Sequence, residues 1–229
     1  MKAIAVALAL FDFAPIFFLA LGLFFLAQLV DRLEPRCRRM ALASLVFVTV
    51  GAIARASSNV MLALTGDEIP LLATLIYVFG APGFALMAES LMRSWMKVIG
   101  RSPRLDPWLV PSVISWIFLI VAFALRGEEG SGPWKAVLTV LFLGGSFLTA
   151  LSAAVLGWKR RLHMAAALFA LQYAGTFIFV SIRTFAPEHP LILLFTELLM
   201  LASQCAFAFA CWRVAAEYNA KIGPTATTT

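Results

Sequence analysis

The chain has 229 residues, 62% hydrophobic and 13% charged, against roughly 25% charged in soluble globular domains. That leaves too little polar surface to coat a water-soluble fold of this size, so most of the surface must face lipid. The net charge of +6 does not mark a nucleic-acid binder, because the Lys and Arg residues stand in short clusters between apolar runs, which is a signal of membrane topology.

Crossing a hydrocarbon core of ~30 Å takes about 20 apolar residues. The first run, Ile4–Val30, is too long for the ~7–15-residue apolar stretch of a secretory signal. It also carries Asp12 and Pro15, so it is expected to stay in the mature protein as a spanning helix. Six further spans are expected at Ala41–Leu64, Leu71–Met92, Trp108–Leu125, Trp134–Trp158, Leu162–Ala186 and Leu191–Trp212. The short connections leave no room for a soluble domain. Residues 1–218 therefore read as one all-α, seven-helix membrane domain, followed by a disordered cytoplasmic tail at 219–229.

Direction follows from the cations. Arg32, Arg36, Arg38 and Arg39 lie in one loop, Arg93, Lys97, Arg101 and Arg104 in a second, Lys159, Arg160 and Arg161 in a third, and Arg213 and Lys221 near the end. The opposite side mixes Lys2, Arg126, Lys135 and Arg183 with Asp67, Glu68, Glu128, Glu129 and Glu188. An excess of Lys and Arg marks the cytoplasmic face, so the N-terminus is expected outside and the C-terminus in the cytoplasm. The expected location is a bacterial plasma (inner) membrane.

Two stretches share punctuation. Arg38-Arg39-Met40 and Arg160-Arg161-Leu162 each open a span that ends near an acidic loop and a proline, and the spacing from Pro70 to Arg93 equals that from Pro190 to Arg213. Helices 1–3 and 5–7 then read as parallel repeats joined by the fourth, an arrangement used by carriers that bind solute between the halves. At the level of architecture this resembles the sugar carriers built from two three-helix bundles and a linker helix, although the Pro-Gln dipeptide of that wider group is absent. Seven-helix sensor modules of histidine kinases and microbial rhodopsins share the helix number and direction. A retinal protein needs a lysine in its last span, and Leu191–Trp212 has none.

Ionisable side chains inside spans are the most informative residues, because each costs at least ~2.5–3.5 kcal/mol at the bilayer centre unless it is paired or hydrated. At 1.5 Å per residue, Asp12 falls ~12 Å below the outer face, Arg55 ~14 Å, and Tyr77 and Glu197 ~9 Å each. Asn59 lies one turn above Arg55, and Arg183 nearer the surface. The expected site is thus an outer-half cluster of Asp12, Arg55, Asn59, Tyr77, Arg183 and Glu197. Within it, Arg55 would be neutralised by Asp12, Glu197 or both, with Tyr77 and Asn59 as hydrogen-bonding partners and Gln172, Tyr173, Thr176 and Gln204 as further neutral groups. Glu89, one turn before Arg93 near the cytoplasmic end, is expected to pair locally in a solvated, structural role. Gly80-Ala81-Pro82-Gly83 marks either a hinge or a fixed bend.

His163 and His189 are a membrane apart, Cys37, Cys205 and Cys211 form no metal or redox motif, and no nucleophile elbow or phosphate loop occurs. No metal, cofactor or nucleic-acid partner is expected, and the expected partners are the lipid bilayer and a small-molecule ligand. The leading expectation is a carrier that takes a small polar or zwitterionic solute in the outer-half pocket. The alternatives are a sensor or accessory subunit using the same bundle without transport, an interhelical clamp with no chemistry, and a hydrolase using Asp12 and Glu197.

Overall fold

The computed structural model describes residues 2–67, 69–101, 104–126, 133–185 and 190–222. Among them every regular element is helical. The α-helices are α1 (Lys2–Phe11), α2 (Phe13–Leu33), α3 (Arg38–Thr65), α4 (Pro70–Val98), α5 (Leu109–Ala124), α6 (Trp134–Lys159), α7 (His163–Phe185) and α8 (Pro190–Ile222), with a short 3-10 turn at Pro35–Cys37. Asp12 alone separates α1 from α2, and together they make one rod.

Among the described residues, five helices are long and apolar enough to cross a membrane: Val6–Leu33, Pro35–Thr65, Pro70–Val98, Trp134–Lys159 and Leu191–Ala220. Leu109–Ala124 and His163–Phe179 are shorter apolar helices. The chain therefore has the make-up of a multi-pass integral membrane protein in contact with the bilayer. Its outer surface agrees, since Trp116, Phe123, Val140 and Phe177 all point outward from their helices.

Helix ends follow local chemistry. Pro70 and Pro190 open α4 and α8, where a missing N–H costs nothing. Gly66 closes α3 at φ 86°, a left-handed cap that donates its N–H to the Leu62 carbonyl at 2.9 Å. The helices also run past the apolar stretches. α4 continues to Val98 and α8 to Ile222, because Val214, Ala215 and Tyr218 are buried against the bundle. The Tyr218 hydroxyl donates to the Leu156 carbonyl at 3.4 Å, and Arg160 lies 4.4 Å over its ring. Residues 219–222 are thus helical, whereas 223–229 of the expected tail lie outside the described residues.

The rods form a ring in the order α2, α3, α4, α6, α7, α8 and back to α2, with α5 packed outside against α4 and α6. Glycines stand at its close approaches. A Cβ on Gly22 of α2 would stand 2.5 Å from the Phe207 ring and 3.3 Å from the Ala208 Cα of α8. One on Gly145 of α6 would stand 3.0 Å from Phe84 Cβ and from the Ala85 nitrogen of α4. Gly51 of α3 meets Leu75, Ile76 and Gly80 of α4, and Gly175 of α7 meets Leu199 and Ser203 of α8.

The large buried side chains gather at the end carrying the basic turns, where Leu23, Leu26, Leu29, Met40, Met87, Leu91, Leu156, Phe169 and Tyr218 make a continuous core. At the opposite end the buried apolar residues of the first helices are small: Ala9, Ala52, Ala54, Ala56 and Ala73. That end also carries the bonded pair Asp12 and Asn59.

Candidate functional site

Asp12 sits where α1 gives way to α2. Pro15 has no N–H to offer the Phe11 carbonyl one turn back, so the helix is interrupted there and the carbonyl is released beside Asp12. The Asp12 carboxylate caps no backbone N–H. It reaches across to α3, where Oδ2 accepts a hydrogen bond from Asn59 Nδ2 at 2.7 Å.

Arg55 lies one turn from Asn59 on α3, half-buried, with a polar or electrostatic partner of its own. Glu197 is 4% exposed on α8 and likewise engaged. The contact of Gly22 with Phe207 and Ala208 fixes the register of the parallel pair α2 and α8. Counting back from it, Asp12 and Glu197 come level, each ~15 Å above the contact at 1.5 Å per residue.

Tyr77 stands deeper. Gly51 faces Leu75 and Ile76, and the Ser58 hydroxyl donates to the Ile69 carbonyl at 3.4 Å, so Arg55 is about one turn further out than Tyr77. Tyr77 makes no hydrogen bond among the described residues. Arg183 is on α7, and its side chain lies outside the described residues.

Below Glu197 on the same face of α8, two turns on, Gln204 is 6% exposed. Its Nε2 meets the Met200 sulfur at 3.5 Å, and its Oε1 is buried without a partner. Gln172 Nε2 donates to Thr176 Oγ1 at 3.2 Å within α7.

A second polar group occupies the other end. Glu89 and Arg93 form the expected i,i+4 pair, Arg93 Nε donating to Glu89 Oε1 at 2.6 Å. The pair is not solvated, because the side chains are only 8% and 5% exposed. The segment after α4 folds over them, and the guanidinium donates to the carbonyls of Leu105 at 2.7 Å and Asp106 at 3.2 Å. The sequence signalled the pair through its spacing but gave no sign of the carbonyls. Beside it, Lys97 pairs with Glu34 at 3.3 Å, tying α4 to the end of α2.

No group of three His, Cys, Asp or Glu side chains able to hold a metal occurs among the described residues, and Cys37, Cys205 and Cys211 are free thiols. No protein-family model, curated protein or solved structure matches the chain.

Proposed function

We propose that the chain is a seven-span carrier that binds a small polar or zwitterionic solute at Asp12, Arg55, Asn59, Tyr77, Arg183 and Glu197, with its N-terminus outside and its C-terminus in the cytoplasm of a bacterial plasma membrane. The observation that carries this reading is the position of Asp12: an acid at an interruption of the first span, bonded to Asn59. Interrupted helices near mid-membrane supply free backbone groups as well as side chains to a solute. Acidic and basic groups in one layer suit a solute bearing both charges.

The packing supports a build from two parallel three-helix repeats, α1/α2–α4 and α6–α8. The spacing from Gly22 to Gly145 equals that from Phe84 to Phe207 and from Ala85 to Ala208, and that from Gly51 to Gly175 exceeds it by one. The two contacts correspond under that spacing: Gly22 meets Phe207, Gly145 meets Phe84, and Phe207 is the counterpart of Phe84. Exchanging the halves would leave the ring order unchanged.

The same 2.7 Å bond favours a second reading, an interhelical clamp that holds α1/α2 against α3 and does no chemistry. Melting of the purified protein with and without a panel of zwitterionic amino acids separates the two. In a carrier, one of them raises the melting temperature of the wild type. Asp12→Asn, whose amide still accepts from Asn59, loses that shift while keeping most of its own stability. If no solute shifts the wild type, and Asp12→Asn and Asn59→Leu are destabilised alike, the clamp stands.

A further inference from the structure

A groove of about 460 Å³ runs along the outside of the α2–α3 hairpin, lined by Phe17, Ala20, Leu21 and Phe24 of α2 and by Leu45, Val46, Thr49 and Val50 of α3. Seven of these eight side chains are hydrocarbon. The eighth, Thr49, has a buried hydroxyl without a hydrogen-bond partner, whereas Thr149, on another helix, bonds its own i−4 carbonyl at 2.8 Å.

The other half of the ring shows why the space is open. Phe24 and Phe147 are spaced as Gly22 and Gly145 are, and Thr49 and Tyr173 as Gly51 and Gly175 are. Between α6 and α7 the Tyr173 ring fills the position, packing on Phe147 at 5.0 Å between centroids. Between α2 and α3 a threonine, Thr49, stands at the corresponding position and lines the open groove.

Both walls of the groove lead to arginine. On α2 the face of Phe17, Leu21 and Phe24 continues through exposed Gln28 to exposed Arg32. On α3 the face of Val50 and Val46 continues through exposed Leu42 to exposed Arg39. Arg38 is turned to Asp31 at 3.8 Å, but neither Arg32 nor Arg39 has a carboxylate within ion-pairing distance among the described residues. Phe24 is ~12 Å from Arg32 along α2 and Leu45 ~9 Å from Arg39 along α3 at 1.5 Å per residue. Both lie within the ~15 Å that the chains of one leaflet reach.

From the two exposed arginines at one end and the unfilled hydrocarbon slot at the other, we infer that the α2–α3 hairpin is a binding site for an anionic phospholipid, its phosphate at Arg32 and Arg39 and the distal part of one acyl chain lying over Thr49. An uncharged helix, from a second copy or from a partner, would fill the slot but leave the arginines unused.

The test is native mass spectrometry of the full chain after incubation with phosphatidylglycerol or phosphatidylcholine in mixed micelles. The wild type is expected to retain phosphatidylglycerol in preference. Each surface arginine contributes about fivefold in affinity for an anionic membrane surface, so R32Q/R39Q is expected to erase a preference of roughly 25-fold. Thr49→Tyr, a side chain the other hairpin already accommodates at the matching position, is expected to fold and to weaken retention of both lipids. R101Q/R104Q, which removes as much charge from another basic loop, is expected to change nothing. The inference is overturned if R101Q/R104Q lowers the preference as much as R32Q/R39Q, if Thr49→Tyr retains phosphatidylglycerol like the wild type, or if the wild type appears as a lipid-free dimer that Thr49→Tyr dissociates.

Discussion

Replacing Arg93 with methionine removes the cation of a buried pair and strands three acceptors together: the Glu89 carboxylate and the carbonyls of Leu105 and Asp106. Removing one partner of a buried ion pair costs about 3–5 kcal/mol, because the other is left desolvated and uncompensated. With both side chains under a tenth exposed, R93M should lie within that range. Glu89→Gln should cost less, about 1–3 kcal/mol, since Arg93 keeps two carbonyls and a neutral amide oxygen still accepts. The double variant E89L/R93M, which leaves no buried charge, should be more stable than R93M alone. Melting in detergent gives the order, and for a chain of this size each kcal/mol is worth about 2–4 °C. Limited trypsinolysis gives a second readout, because the lost carbonyl bonds release the segment carrying Arg101 and Arg104, so cleavage there should accelerate in R93M. An R93M variant within about 0.5 kcal/mol of the wild type, or a double variant less stable than R93M, would refute the reasoning.

Three other outcomes are expected. Gly22→Leu and Gly145→Leu, at two of the close approaches between helices, should each cost about 1–3 kcal/mol by overpacking, while Gly144→Ala, whose Cβ meets nothing within 4 Å, should melt with the wild type. Asp12→Asn should lower stability by about 1 kcal/mol, as a charge-assisted hydrogen bond becomes a neutral one, and Asn59→Leu by more, since it leaves the carboxylate without its amide; melting curves of the two check the order. A C-terminal fluorescent-protein fusion should be fluorescent and a C-terminal periplasmic phosphatase fusion inactive, the reverse of what an external C-terminus gives.

The fold was legible where it depends on hydrocarbon: each apolar run became a helix, and Pro70 and Pro190 marked ends that the structure places there. What escaped the sequence was burial of a mixed kind. Tyr218 lies beyond the last apolar run, yet it is fully buried, because one face of the α8 extension carries Val214, Ala215 and Tyr218 against the bundle. The Glu89–Arg93 spacing announced a pair but not its burial, since the covering carbonyls belong to a loop with no pattern of its own.

In the candidate site, counting residues along single helices put Tyr77 above Arg55, the reverse of their order once α3 and α4 are packed in register. The choice of partner was not legible either, and Asp12 takes the amide of Asn59 through a contact between helices that no spacing within either one encodes.

Accessibility of position 59 from the two faces of the membrane tests the carrier reading most directly. In a background with Cys37, Cys205 and Cys211 replaced, Asn59→Cys in oriented vesicles should react with a membrane-impermeant maleimide added from either side, as the cluster opens alternately to each. Labelling from the outside alone, with complete protection from the cytoplasmic face, would contradict transport and leave a bundle that only binds or clamps.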